Sequence, residues 1–142
     1  MPANGQSAPK DYKDLLEWQN GMALSKLVYR LTVRFPRDEK FGLALQIRRA
    51  AVSVPANIAE GQARQNTKEF LQFLSHAEGS LAELETQALL SVELGFVYRE
   101  DLTDILSKID ELQKMIVGLK RKLSWLSPLA IRHSPLSRAE RH

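Results

Sequence analysis

Residues 41–61 read FGLALQIRRAAVSVPANIAEG, and two stripes of helical period share this one segment. Leu43, Ile47, Ala50, Val54 and Ile58 recur at steps of three and four, which places them on one face of a helix. Gln46, Arg49, Ser53, Asn57 and Glu60 recur at the same steps, displaced around the axis. A merely solvated face needs charge and no more, and is served by Lys and Glu. Ser and Asn are mediocre helix formers, and with Gln they are useful for hydrogen bonding. The apolar stripe therefore predicts a core-facing helix, and the polar stripe predicts a specific partner surface.

The same period continues on both sides. Leu24, Leu27, Val28, Leu31 and Phe35 predict a first helix over about 11–34, which Pro36 stops. Asp38 is placed to cap the second helix, which runs to about Arg64. Asn66-Thr67-Lys68-Glu69 has the spacing of a capping box. Phe70, Leu74, Ala77, Leu81, Leu84 and Ala88 then carry a third helix to Gly95, a residue suited to a left-handed helix end with Phe96 folding back. Leu102, Ile105, Ile109, Leu112, Ile116, Leu119 and Leu123 carry a fourth, stopped by Ser127-Pro128. No strand pattern occurs. A sustained seven-residue apolar repeat favours left-handed supercoiling, and short connections force neighbouring helices antiparallel. The expected fold is all-α, a left-handed up-down-up-down four-helix bundle.

Pro55 interrupts the second pattern and removes the hydrogen bond to the carbonyl of Ala51. A proline kink in helix 2 is expected, with Ser53 and Asn57 placed to satisfy the freed carbonyl. Two shorter helices meeting at Val54-Pro55 are the alternative. Ala50, Ala51, Ala56, Ala59 and Gly61, with Ala77, Gly79, Ser80 and Ala82, supply more small residues than one core seam needs, which suggests a second packing surface. The expected domain plan is a flexible N-terminal tail over 1–9, the bundle over 10–126 and a basic flexible C-terminal tail over 127–142.

The chain has 142 residues, 44% hydrophobic and 26% charged, with no cysteine and no apolar run long enough to span a membrane. One domain in the cytoplasm is the expectation. The net charge of +3 hides an asymmetry. Residues 67–96 hold one Lys and five Glu, net −4, whereas 120–142 hold six Lys and Arg against one Glu, net +5. Such a dipolar chain can attract nucleic acid through its basic end or bind a second copy of itself; ordinary surface charge is the plainer alternative.

Residues that could carry chemistry are scarce. Di-iron bundles need Glu-x-x-His on two helices, and Phe73 stands where His76 would need a Glu. There is no Gly-rich phosphate loop, no Gly-x-Ser-x-Gly elbow and no cysteine nucleophile. Glu83 and Glu85 point in different directions on a helix. No enzyme activity, metal or cofactor is expected. Candidate nucleic-acid contacts are Arg48, Arg64 and the run Lys120, Arg121, Lys122; candidate subunit contacts are Gln46, Arg49, Ser53, Asn57 and Glu60. Lys120-Arg121-Lys122 also suits a helix C-terminus on electrostatic grounds alone. Trp18, Tyr29 and Trp125 are few for base stacking, so contacts to a phosphate backbone are favoured over base readout.

Taken together, Trp18, Tyr29, Phe35-Pro36, Glu39, Gln46-x-Arg48-Arg49-Ala50, Ser53, Asn57-Ile58-Ala59-Glu60-Gly61 and Gly79-Ser80-x-x-Glu83-x-Glu85 resemble the four-helix-bundle proteins encoded in intervening sequences of bacterial large-subunit ribosomal RNA. The resemblance covers about 10–123. It implies a left-handed up-and-down bundle assembling as a ring of five, with no known catalytic activity. The chain is more distantly similar to the accessory variability protein of diversity-generating retroelements, a basic pentameric barrel that engages RNA and a reverse transcriptase. The expectation is a non-enzymatic homopentamer whose basic rim binds RNA or a nucleic-acid-processing protein. A protein–protein scaffold without any nucleic-acid role is the alternative.

Overall fold

The computed structural model describes residues 11–126, which form four helices and no strand. Both expected tails lie outside the described residues. Helix α1 spans Leu16–Thr32, α2 Leu43–Ala63, α3 Thr67–Glu93 and α4 Thr103–Leu126, with single 3-10 turns at Tyr12–Asp14, Arg37–Glu39 and Arg99–Leu102. Among the described residues, no helix is long and apolar enough to cross a membrane.

Each apolar stripe buries as its spacing requires. Leu24, Val28 and Leu31 of α1 meet Leu43, Ile47, Ala50, Val54 and Ile58 of α2, Leu74, Ala77, Leu81, Leu84 and Ala88 of α3, and Ile105, Ile109, Leu112 and Ile116 of α4. Helix α2 packs on α1 and α3, and α4 packs on the other sides of both. Most of these side chains are fully buried, and each leucine or isoleucine removed from water contributes about 1.5–3 kcal/mol. Two polar clips tie α4 down: Lys108 Nζ donates to Asn20 Oδ1 of α1 at 2.8 Å, and Lys120 Nζ to Glu78 Oε1 of α3 at 2.6 Å.

Helix α2 begins later than its pattern predicts, and Asp38 does not cap it. Residues 37–39 turn as a 3-10 segment, and Glu39 Oε1 accepts the amide of Leu43 at 2.9 Å instead. The longer side chain reaches back across the turn and places a negative charge at the positive end of the helix dipole. A Cβ on Gly42 would stand 2.7 Å from that carboxylate oxygen, so a larger residue would push the Glu39 carboxylate out of this position.

Helix α2 is continuous through Pro55, so the alternative of two helices meeting at Val54-Pro55 does not occur. The carbonyl freed at Ala51 is satisfied from a neighbouring helix, which corrects the expectation for Ser53 and Asn57. Ser25 Oγ of α1 lies 3.2 Å from Ala51 O, whereas Ser53 Oγ donates to Ala50 O and Asn57 Nδ2 to Ser53 O. Gly21, one turn before Ser25, lets α1 lie against the proline ring: a Cβ there would be 3.2 Å from Pro55 Cβ and Cδ.

The connection to α3 is capped as expected on one side. Asn66 Oδ1 accepts the amide of Glu69 at 3.0 Å, but the Glu69 side chain does not return to the Asn66 amide. At the far end, Gly95 adopts φ +79°, its amide donates to Val92 O and the Phe96 amide to Ser91 O. That is the Schellman arrangement, and it folds Phe96 onto Phe35 with ring centroids 5.4 Å apart.

Candidate interaction surface

The polar stripe of α2 runs along the outer edge of its contact with α3. Ser53 hydrogen-bonds Ser80 Oγ of α3, and a Cβ on Gly61 would meet Phe73 Cβ at 2.8 Å and Phe70 at 3.0 Å. Partner numbers on α3 fall as those on α2 rise. By this register Gln46 stands level with Gln87 and Arg49 level with Glu83. The expected subunit residues Gln46, Arg49 and Glu60 are exposed, and Ser53 and Asn57 are half-buried with their side chains bonded inside the protomer.

Helix α3 adds three residues to this seam that the α2 pattern alone did not identify: Ser80, Glu83 and Gln87. Gln87 is only 8% exposed, and its Oε1 has no hydrogen-bond partner among the described residues. Its amide nitrogen reaches Glu83 Oε2 only at 3.5 Å. An unpartnered buried amide oxygen costs about 1–3 kcal/mol, and such groups are rare enough to need a reason. The sequence signal was available, because Gln87 follows Ser80 and Glu83 at helical steps. Arg49 forms no ion pair among the described residues, while Glu60 pairs with Arg64 at 2.9 Å within the helix.

The candidate nucleic-acid residues do not converge. Arg48 and Arg64 are sixteen positions apart, about 24 Å along α2 and about 160° around it. Arg48 Nε donates to Thr32 Oγ1 at 2.7 Å, and its guanidinium lies over Tyr29, 4.6 Å from the ring centroid. Arg64 combines its bond to Glu60 with a position 5.2 Å over the Phe73 ring. Lys120 turns to α3, where Glu78 and Ser75 take its ammonium at 2.6 and 2.9 Å. Arg121 and Lys122 stay exposed on α4. The triplet therefore presents two cations to solvent, not three.

A cavity of about 190 Å³ between α1 and the start of α4 is lined by Leu27, Arg30, Leu31, Arg34, Asp101, Asp104 and Ile105. Drug-sized ligands occupy about 300 Å³ or more. Arg34 and Asp101 form an ion pair within this lining, 2.9 Å apart. The Tyr98 amide, donating at 2.8 Å, holds the Asp101 carboxyl below its ordinary pKa with help from Arg34, against a smaller opposing effect of desolvation. Among the described residues, no group of three or more His, Asp and Glu is placed to hold a metal ion.

No curated protein matches the chain. A solved structure of a protein with unknown function from the S23 ribosomal protein family of Bacteroides thetaiotaomicron superposes with a TM-score of 0.66 at 21% identity, covering 74% of this chain and 98% of that one. At that identity the likeness shows a shared fold. The family model for 23S rRNA-intervening sequence proteins matches residues 13–118, nearly all of the described bundle, and the chain belongs to that family.

Proposed function

We propose that this protein is a non-catalytic helical adaptor that assembles with further copies of itself through the α2–α3 seam. The observation that carries this is Gln87, a buried amide with an unpartnered oxygen, level with Gln46 in a seam of hydrogen-bonding side chains that also holds exposed Arg49. A second protomer can supply a carboxylate to exposed Arg49, and a turn of the Gln87 amide toward the seam would let it supply the missing donor there as well. Five subunits is the stoichiometry the family resemblance implies. The left-handed up-and-down bundle with α2 bent at Pro55 belongs to this reading, and the falling register of Gly21 with Pro55 and Ser25 with Ala51 supports its antiparallel neighbours. A chain without cysteine suits the cytoplasm.

Size exclusion with light scattering tests the assembly. A mass of about five times 16.1 kDa is expected, falling toward the monomer in Arg49→Ala. Loss of one member of a buried charged pair costs about 3–5 kcal/mol. A monomeric wild type, or an assembly indifferent to Arg49, overturns the proposal. RNA binding through Lys120-Arg121-Lys122 is disfavoured by the Glu78 contact, so a clean protein spectrum with nuclease-insensitive capture of another protein would support the scaffold alternative.

A further inference from the structure

On α3 the polar seam continues into an apolar end. Ser80, Glu83, Gln87, Leu90 and Leu94 follow one another at steps of three and four, so they form one stripe along the helix. Leu90 and Leu94 are 43% and 53% exposed, so the stripe ends outside the core. Glu83 is exposed and forms no ion pair among the described residues. The stripe thus presents a carboxylate, an amide whose oxygen lacks a donor, and two leucines, in that order.

Helix α1 carries a stripe of the same period that the core also leaves out. Met22, Lys26, Tyr29 and Val33 recur at steps of four, three and four, Val33 being the C-cap in helical backbone, and all four are exposed. Lys26 forms no ion pair, and the Tyr29 hydroxyl no hydrogen bond, among the described residues. The two stripes match in one direction. With Lys26 level with Glu83, helices running the same way set Met22 beside Ser80, Tyr29 beside Gln87 and Val33 beside Leu90, to within one residue. Running oppositely they set Met22 on Gln87, which supplies no donor, and Gln19 on Leu90.

We propose that the α3 stripe of one copy takes the Met22, Lys26, Tyr29 and Val33 face of α1 on a second copy, the two helices running in the same direction. This rests on self-assembly through the α2–α3 seam and names the surface that covers it. Lys26 pairs with Glu83, the Tyr29 hydroxyl donates to the Gln87 oxygen as the amide turns toward the seam, and Val33 covers Leu90. Residues 67–96 carry net −4, which favours a cation in that place. The two faces lie on different helices of one chain, so every copy offers one and uses the other, a head-to-tail contact that forms a ring where the rotation closes. In the up-and-down reading α1 and α3 share a direction, and rotation about an axis along the bundle brings the faces together.

The test is light scattering of the full chain across a dilution series. Lys26→Glu and Glu83→Lys should each weaken assembly at least about tenfold, because like charges then meet, and the two substitutions in one chain should restore it. Val33→Asp and Leu90→Asp should each give single chains. Mixed in equal amounts they should give species of about twice 16.1 kDa, since one intact pairing remains between them. Circular dichroism verifies that each variant folds, and the charge reversals, at exposed positions, carry the test without Leu90→Asp. An assembled wild type indifferent to Lys26→Glu, a double reversal that fails to restore assembly, or loss of assembly in Leu90→Asp without loss in Val33→Asp overturns this pairing and leaves the seam reading in place. A monomeric wild type overturns both.

Discussion

Ser25 of α1 lends its hydroxyl to Ala51 of α2, the residue whose carbonyl Pro55 leaves without an amide partner. The hydroxyl also lies 3.1 Å from Gly21 O, and its single proton can serve only one carbonyl at a time. A proline inside a long helix is thus accommodated by a hydrogen bond from the neighbouring helix. Ser25→Ala should destabilise the protein by about 1–2 kcal/mol, the cost of an orphaned buried carbonyl. In a Pro55→Ala background a main-chain amide is again available, and the same substitution should cost much less. Urea denaturation of the four-member cycle measures the difference, and equal costs in both backgrounds would remove Ser25 from this role.

That contact marks the boundary of what the sequence discloses. The stripes Leu43 to Ile58 and Leu102 to Ile116 are local periodicities, so their burial was legible without coordinates. The left-handed turn at Gly95 was legible for the same reason. Ser25 was not, because twenty-six positions separate it from Ala51 and nothing local links them. Asp38 has the right chemistry one position too early, and the 3-10 turn brings Glu39 to the helix instead. At the seam, α2 announced its polar stripe, but the level pairing with Glu83 and Gln87 required the α2–α3 register. Lys120 reads as a free cation in the sequence, and only the packing of α4 on α3 brings Glu78 to it.

Two residues at helix ends share a left-handed backbone and differ in suitability. Gly95 adopts φ +79° at no steric cost, whereas Gln65, between α2 and α3, adopts φ +55° with a side chain attached. The left-handed region costs a non-glycine residue about 1–2 kcal/mol. Gly95→Ala should therefore destabilise by about 1 kcal/mol, and Gln65→Gly should stabilise by up to about 1 kcal/mol. Thermal melts of the two variants should move in opposite directions; a downward shift for both would show that the Gln65 side chain contributes more than its strain costs.

Asp101 gives the fold a pH-sensitive tie. Its carboxylate receives the Tyr98 amide at 2.8 Å and Arg34 at 2.9 Å, and its pKa is lowered. A carboxyl with a lower pKa folded than unfolded contributes stability that is complete above the unfolded value and is lost as pH falls through the folded value. Acid destabilisation from this group should begin near the ordinary aspartate range and continue below it. Asp101→Asn should flatten that part of the stability profile, and Arg34→Gln should raise the Asp101 pKa seen by carboxyl NMR. A titration at or above the ordinary value in the wild type would contradict the assignment.

Gln87 separates protomer stability from assembly. Within one chain its Oε1 is buried and unpartnered, so a leucine of similar size should relieve a polar burial at little cost in packing. Gln87→Leu is therefore expected to leave the protomer as stable as the wild type or more so, by up to about 1–2 kcal/mol. If a second copy supplies the missing donor, the same substitution removes an intersubunit hydrogen bond and moves the mass distribution toward smaller species. Light scattering across a dilution series, paired with denaturation of the dissociated chain, reads both effects. A variant that is more stable and assembles unchanged would place Gln87 outside the subunit contact and leave Arg49 alone to define it.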